Sequence, residues 1–186
     1  MNVTEYTVNV VHPAQVHVFD LNNQINAPDV VNAIRNFKTR FPNSNTSNVV
    51  GWHTDYFAHK FTSDFDQLIN AVEHCVSDAL NDSDFDVSVV QCWAAIYNKG
   101  DGARLHKHFD TLYSAVYYAQ AEPNASPLKF DNGLTIVPET GMLVCFPGWL
   151  FHEVPPMRFK DERISVAFNL NCTLKNFEDR LWLRMQ

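Results

Sequence analysis

Apolar side chains in the first half of the chain fall at helical spacing in two stretches; in the second half they mostly alternate with polar ones. The first stretch starts at Ala27, where Val30, Val31, Ala33, Ile34 and Phe37 share one helical face. Pro28 suits its first turn and Pro42 closes the segment. A second helix is predicted from Ser63, where Ser63 and Asp66 have the spacing of a capping box. Its buried stripe is Phe65, Leu68, Ile69, Val72, Cys75, Val76, Ala79 and Leu80, and Asn81 to Asp86 end it. Ahead of both helices, YTVNVV and VHVFDL within residues 6–21 read as strands parted by Pro13. Residues 43–62, rich in Asn, Ser and Thr and then aromatic, read as a long loop with one short strand.

After residue 86 the period changes to two, with strand-like runs at 87–97, 112–119, 128–130, 134–137, 142–146 and 163–171. Turn residues separate them, among them Lys99 to Gly102, Asp131 to Gly133 and Pro147 with Gly148. Two helices followed by many short strands argue an α+β fold with an antiparallel sandwich or jelly roll, the helices covering one outer face of a sheet. The chain divides into a helical and loop part (1–86), a β core (87–171) and a tail (172–186), read together as one domain of 186 residues. The tail, NFEDRLWLRMQ, is amphipathic and suits docking on the core or on a second copy, so a homodimer stays open.

Composition narrows the function classes. At 46% hydrophobic and 13% aromatic the chain is globular rather than disordered. A net charge of −7 argues against unspecific nucleic-acid binding, which needs a basic surface. Cys75, Cys92, Cys145 and Cys172 form no CxxC pair and read as reduced, mostly buried thiols. No signal-peptide pattern opens the chain and no apolar run is long enough to span a bilayer, so a cytoplasmic location is expected, with no membrane association.

The candidate chemistry lies in HKHFD at residues 106–110, read with His152 and Arg163. In an extended backbone, residues two apart point to the same side, so His108 and Asp110 can converge on one ion. His152 follows the apolar run MLVCFPGWLF at a strand mouth and can join them. Two histidines and one carboxylate hold non-haem iron(II) while leaving open positions. His106 offers a different two-histidine pairing with His108; it is placed at the pocket rim because Asp110 supplies the carboxylate. A second HxD pair, His53 with Asp55, precedes the second helix and reads as a polar loop cluster rather than a metal site.

The last strand, RISVAFNLN, adds an anion site. Alternation puts Arg163, Ser165, Ala167 and Asn169 on one face and Ile164, Val166, Phe168 and Leu170 on the other. An arginine on the small, polar face of a buried strand needs an anionic partner. Glu162, Asp161 or Glu153 could supply a protein carboxylate, but they lie in or near loops. A small dicarboxylate fits better, its far end held by Arg163 and Ser165 and its near end on the metal.

The order HxD, distal His, then RxS resembles the iron(II)- and 2-oxoglutarate-dependent dioxygenases, whose core is a double-stranded β-helix related to the cupins. The match is nearest to small prolyl-hydroxylase-like oxygenases. It is carried by SNVVGWHT, WAAIYNKGD, HKHFDTLYSAVYY, IVPETGMLVCFPGWLFHEV and ERISVAFNLN, spanning residues 47 to 171 with gaps. One departure is Ala115 in SAVYY, where close relatives would carry glycine. The resemblance implies that His108, Asp110 and His152 bind Fe(II) and that Arg163 pairs with the distal carboxylate of 2-oxoglutarate. Ser165 and a tyrosine hydroxyl would assist; Tyr118, the second tyrosine of the YY pair, is preferred to Tyr117, and Tyr97 is a further pocket tyrosine. It also implies O2 as co-substrate, ascorbate as an optional reductant, and hydroxylation of a peptide side chain or small molecule with release of succinate and CO2. Two other classes remain open on the residues alone. One is a cupin-like zinc or manganese isomerase or hydrolase using His106, His108, Asp110 and His152; the other is a non-enzymatic interaction module.

Overall fold

The computed structural model describes residues 3–8, 14–42, 47–80 and 85–175. In chain order the elements are β1 (Val3–Val8), β2 (Ala14–Asp20), α1 (Ala27–Arg40), β3 (Val49–Val50), β4 (Trp52–His53), a 3-10 turn (Ala58–Lys60), α2 (Asp66–Leu80), β5 (Phe85–Tyr97), β6 (Gly102–His106), β7 (Tyr113–Gln120), β8 (Leu128–Phe130), β9 (Thr135–Ile136), β10 (Met142–Pro147), β11 (His152–Val154) and β12 (Arg163–Leu174). Part of the expected YTVNVV strand and the whole of the NFEDRLWLRMQ tail lie outside the described residues.

The strands form two antiparallel sheets. The larger runs β1-β2-β10-β7-β12-β5-β4 and the smaller β3-β6-β11-β8-β9. Non-consecutive neighbours such as β2 beside β10 and β12 between β7 and β5 give the crossed connectivity of a jelly roll.

Period-two patterning sorts the side chains of the large sheet. Ile164, Val166, Phe168 and Leu170 of β12, with Cys92, Ala94 and Ile96 of β5 and Ala115, Tyr117 and Ala119 of β7, join one apolar cluster. Val30, Ile34 and Phe37 of α1 and Leu68, Val72, Cys75 and Val76 of α2 complete that cluster from the helices. α1 lies against β7 and α2 against β5. Each fully buried Ile or Leu here contributes roughly 1.5–3 kcal/mol. The opposite face of the large sheet meets the small one: Val16, Tyr118, Val144 and Phe146 pack with Ala103, Leu128, Phe130, Ile136, Leu150 and Val154. A one-residue slip of β12 would send Arg163 and Ser165 into the helix layer, so the apolar pattern fixes which residues reach the inter-sheet space.

Local differences from the sequence expectation have simple causes. α2 begins at Asp66, three residues past Ser63, because Phe65 is buried in a turn whose Ser63 carbonyl accepts from the Asp66 N–H. β6 and β11 fall outside the strand-like runs read from the sequence, yet they pair with each other. Residues 47–62 hold two short strands, β3 and β4, pairing with β6 and β5 on different sheets.

Candidate active site

The inter-sheet cavity is built on β5, β7 and β12. Their registers set Arg163 opposite Tyr97, and Ser165 opposite Ala95 on one side and Tyr118 on the other. Arg163 is 1% exposed. Its guanidinium lies over two phenol rings, 4.9 Å from the Tyr97 centroid and 4.8 Å from that of Tyr118. Burial raises the pKa of both phenols, and the guanidinium charge offsets part of that rise. Of the protein carboxylates considered from sequence, Glu162 pairs instead with Arg35 at 2.6 Å. Among the described residues no carboxylate pairs with Arg163, and its Nε atom has no hydrogen-bond partner. The Tyr118 hydroxyl is likewise buried without a partner. Tyr117, the other tyrosine of the pair, points into the helix-covered cluster. Ser165 is buried and lines the same cavity as Arg163 and Tyr97.

Across the cavity stand three imidazoles. His106, the last residue of β6, pairs across the strands with His152, the first of β11. His108 follows two residues on. Ring centroids are 4.3 Å apart for His106 and His152, 5.2 Å for His106 and His108, and 5.4 Å for His108 and His152. One ring nitrogen from each can be chosen so that all lie within 4.8 Å of one another, and among the described residues only this trio does so. Small side-chain rotations bring such atoms onto one ion at N–metal bonds of about 2.0–2.2 Å. His106 Nδ1 lies 2.7 Å from the Arg104 carbonyl and His152 Nδ1 2.9 Å from the Leu150 carbonyl. A carbonyl only accepts, so both Nδ1 atoms carry the proton and both Nε2 atoms are free to ligate.

Desolvation keeps these rings neutral. His152 is pushed down to about 3, by burial first and then by His106. His108 falls to about 4, by burial and then His106, with Asp110 pulling the other way. His106 is lowered by burial as well. Neutral imidazole is the ligating form. Phe146 and Phe130 pack on the His152 ring, and Trp93 on that of His108, which fixes ring orientation.

The chain around His108 is tied to the turn before His152. The His108 N–H donates to the Gly148 carbonyl at 2.8 Å and the Gly148 N–H to the Leu112 carbonyl at 2.9 Å. A Cβ at Gly148 would collide with the Thr111 carbonyl, so only glycine lets the two segments approach this closely.

The pairing of His108 with Asp110 expected from sequence is not the one the fold brings together. The chain is extended through β6 but bends at Phe109 and Asp110, so the same-side rule links His106 with His108 and stops there. Asp110 is exposed and stands outside the three-imidazole group, although its charge is felt at His108. His106, placed at the rim from sequence, is a full member of the group. The signal for it, the HxH spacing of His106 and His108, is present in the sequence and is outranked there only because Asp110 offers a carboxylate. His53 is buried and bonded, Nε2 at 2.8 Å from Ser47 Oγ and Nδ1 at 2.7 Å from the Thr54 carbonyl. Asp55 caps the Phe57 N–H at 2.8 Å. This pair orders its loop, as the sequence suggested.

Residues 129–169, which include His152, Arg163 and Ser165, match the family described as "Putative 2OG-Fe(II) oxygenase". No curated protein matches the chain. Among solved structures, a viral collagen prolyl hydroxylase from Paramecium Bursaria Chlorella virus-1, crystallised with 2-oxoglutarate, superposes with TM-score 0.61 at 15% identity over 83% of this chain and 94% of that one. A prolyl-4-hydroxylase from Pseudomonas putida gives TM-score 0.61 at 19% identity over 84% and 92%. A prolyl hydroxylase from Trichoplax adhaerens, bound to a hypoxia inducible factor peptide, gives TM-score 0.65 at 15% identity over 92% and 87%. At these identities the likeness is one of fold. The family match covers residues 129–169, the stretch that carries His152, Arg163 and Ser165. None of the described helices is long and apolar enough to cross a membrane.

Proposed function

We propose that this protein is an iron(II)- and 2-oxoglutarate-dependent dioxygenase that hydroxylates a peptide side chain or a small molecule, releasing succinate and CO2. Its double-stranded β-helix core, with α1 and α2 over the large sheet, carries the site between the sheets. The single observation behind the assignment of sites is a fully buried arginine with no carboxylate partner among the described residues, facing three neutral imidazoles across one cavity. A buried cation without an anion costs several kcal/mol. A dicarboxylate repairs that deficit and reaches the imidazoles with its other end.

The donor set fits the metal. Neutral imidazole nitrogens suit first-row divalent ions, and three protein ligands leave positions for a chelating keto acid and for O2. His108 and His152 hold iron, and the geometry favours His106 as the third ligand. Arg163 binds the distal carboxylate of 2-oxoglutarate as a charge-assisted pair, with Ser165 and the unpartnered Tyr118 hydroxyl donating to it. Tyr97 holds the guanidinium from beneath. Iron bound here supplies the redox chemistry that couples oxidation of 2-oxoglutarate to hydroxylation. The chain's own residues orient the co-substrate, and Phe146, Leu128 and Val154 keep the pocket wall apolar and exclude water. At the mouth, Phe109, Trp149 and Phe151 are exposed, with Lys107 between the two phenyl rings, a rim suited to an extended or ring-bearing substrate.

Succinate release that requires both iron(II) and 2-oxoglutarate tests this reading. It should vanish in His108→Ala and His152→Ala. Undiminished release from both variants would overturn the site assignment. A second reading keeps Asp110 as the third ligand, and its electrostatic contact with His108 favours that reading. Iron stoichiometry decides between them: His106→Ala should lose the metal while Asp110→Ala retains it, and the reverse result would restore the carboxylate.

A further inference from the structure

Beside His108, three side chains from three adjacent strands meet at one level, with Ser114 also on the cavity wall. Asn169 of β12 pairs in register with Gln91 of β5 and with Ser114 of β7. Ser114 Oγ donates to Asn169 Oδ1 at 2.9 Å, and Asn169 Nδ2 donates to Gln91 Oε1 at 2.6 Å. Asn169 Nδ2 also faces His108 Nδ1 at 3.3 Å. Asn169 and Ser114 are each 2% exposed, so no bulk water substitutes for these contacts. His108 therefore differs from its two companions. His106 and His152 each turn Nδ1 to a main-chain carbonyl that can only accept, whereas the partner of His108 is a side-chain amide that can accept or donate.

That difference has a consequence at the metal. With Nδ2 facing it, His108 Nδ1 must accept, and its single ring proton sits on Nε2, where it blocks ligation. If the Asn169 amide turns by half a rotation, Oδ1 faces Nδ1 and accepts its proton. Nδ2 then donates to Ser114 Oγ. Gln91 turns with it, so that its Nε2 donates to Asn169 Oδ1. The Asn169 amide oxygen and nitrogen and His108 Nδ1 keep a partner in both arrangements, which lets this buried group hold two settings.

We propose that Asn169, with Gln91, is a positioning relay that sets which nitrogen of His108 is free to bind metal. The inference rests on the three-imidazole metal centre. Asn169 touches neither metal nor substrate and acts only through the His108 ring.

The test uses zinc(II) as a diamagnetic probe on the metal-free full chain. Zinc affinity is measured by calorimetry, and the His108 tautomer by long-range proton–nitrogen correlation spectra. In the wild type, His108 should carry its proton on Nε2 without zinc and on Nδ1 with it. Asn169→Leu removes the acceptor and should weaken zinc binding about 10- to 100-fold, the usual effect of losing an outer partner of a metal-bound histidine. Asn169→Asp can only accept, so it should bind zinc at least as tightly as the wild type and show the Nδ1 proton even without metal. Gln91→Glu cannot donate, so it holds Asn169 in the blocking orientation and should weaken zinc more than Gln91→Met, which leaves the amide free to turn. A merely structural role predicts no such ordering of the two Gln91 variants. Wild-type affinity in Asn169→Leu, or a zinc-bound His108 still protonated on Nε2, would overturn the relay while leaving the metal centre intact. Wild-type zinc affinity in His108→Ala would instead overturn the centre itself.

Discussion

Replacing Arg163 with Met separates two quantities that a structural arginine would keep together. The guanidinium is 1% exposed and has no carboxylate among the described residues. Two cation–π contacts, at 4.9 Å and 4.8 Å, return about 1–2 kcal/mol each. Burial of an unpaired charge costs several kcal/mol, so the ligand-free protein carries a net deficit at this position. Met fills similar volume without charge. Arg163→Met should therefore leave the ligand-free protein as stable as the wild type or up to roughly 3 kcal/mol more so. The same change removes a charge-assisted pair with 2-oxoglutarate worth roughly 1.5–3 kcal/mol, a loss of about 10- to 150-fold in affinity. Thermal unfolding in the presence of zinc reads both. A ligand at a hundred times its Kd adds about 2.7 kcal/mol, which is roughly 5–11 °C in Tm for a chain of this size. Wild type should show that rise with 2-oxoglutarate; the variant should start as high or higher and, at the same ligand concentration, gain only about 0.3–1.4 kcal/mol, roughly 0.6–6 °C. A variant that is several degrees less stable without ligand, yet rises with 2-oxoglutarate as much as the wild type, would refute the reasoning: the arginine would then be a structural cation with a protein partner.

Three further changes have defined outcomes. Tyr118→Phe removes a buried unpartnered hydroxyl at the anion site and should raise KM for 2-oxoglutarate by about 2- to 10-fold, with kcat little changed; Tyr117→Phe, on the opposite face, should leave that KM alone in the same succinate assay. Gly148→Ala sets a Cβ against the Thr111 carbonyl and should cost about 1–3 kcal/mol in denaturant unfolding, with weaker metal binding because the His108 and His152 segments must part; a fully stable variant would show that the two segments are not locked there. For pH, His108 and His152 have folded values of about 4 and about 3, below the ordinary histidine value of 6.5. The unfolded chain thus binds more protons, so stability of the metal-free protein is complete above about pH 6.5 and falls as pH is lowered toward 4 and then 3. Replacing both histidines with Gln should flatten that part of the pH profile of chemical unfolding, and an unchanged profile would contradict the depressed values.

What the sequence made legible follows from which forces are periodic. The helical stripes of α1 and α2 and the alternation of β12 depend only on burial, and the fold repeats them almost residue for residue. For the same reason alternation alone assigns Arg163 and Ser165 to the inner face, whereas the preference for Tyr118 over Tyr117 comes from the family resemblance; the fold turns Tyr118 between the sheets and Tyr117 into the helix-covered cluster. β6 and β11 were missed because GARLH and HEV are too short and polar to show a period; they are strands only because each pairs with the other. The ligand trio depends on that pairing and on where the backbone stops being extended. A pattern search sees HxD at 108 and 110, but the bend at Phe109 and Asp110 moves the useful spacing back to 106 and 108. The amide cluster around Asn169 was invisible for a similar reason: Gln91, Ser114 and Asn169 become neighbours only through sheet register.

The central claim is that one cavity holds a ferrous ion and a keto diacid together. Anaerobic titration of the protein with iron(II) and then 2-oxoglutarate measures it most directly. One iron per chain and a weak visible charge-transfer band that grows only when both are present, needs much more 2-oxoglutarate in Arg163→Met and is absent from His152→Ala, is the expected result. A wild-type protein that takes up no iron, or takes it up and gives no band with 2-oxoglutarate, would contradict the account.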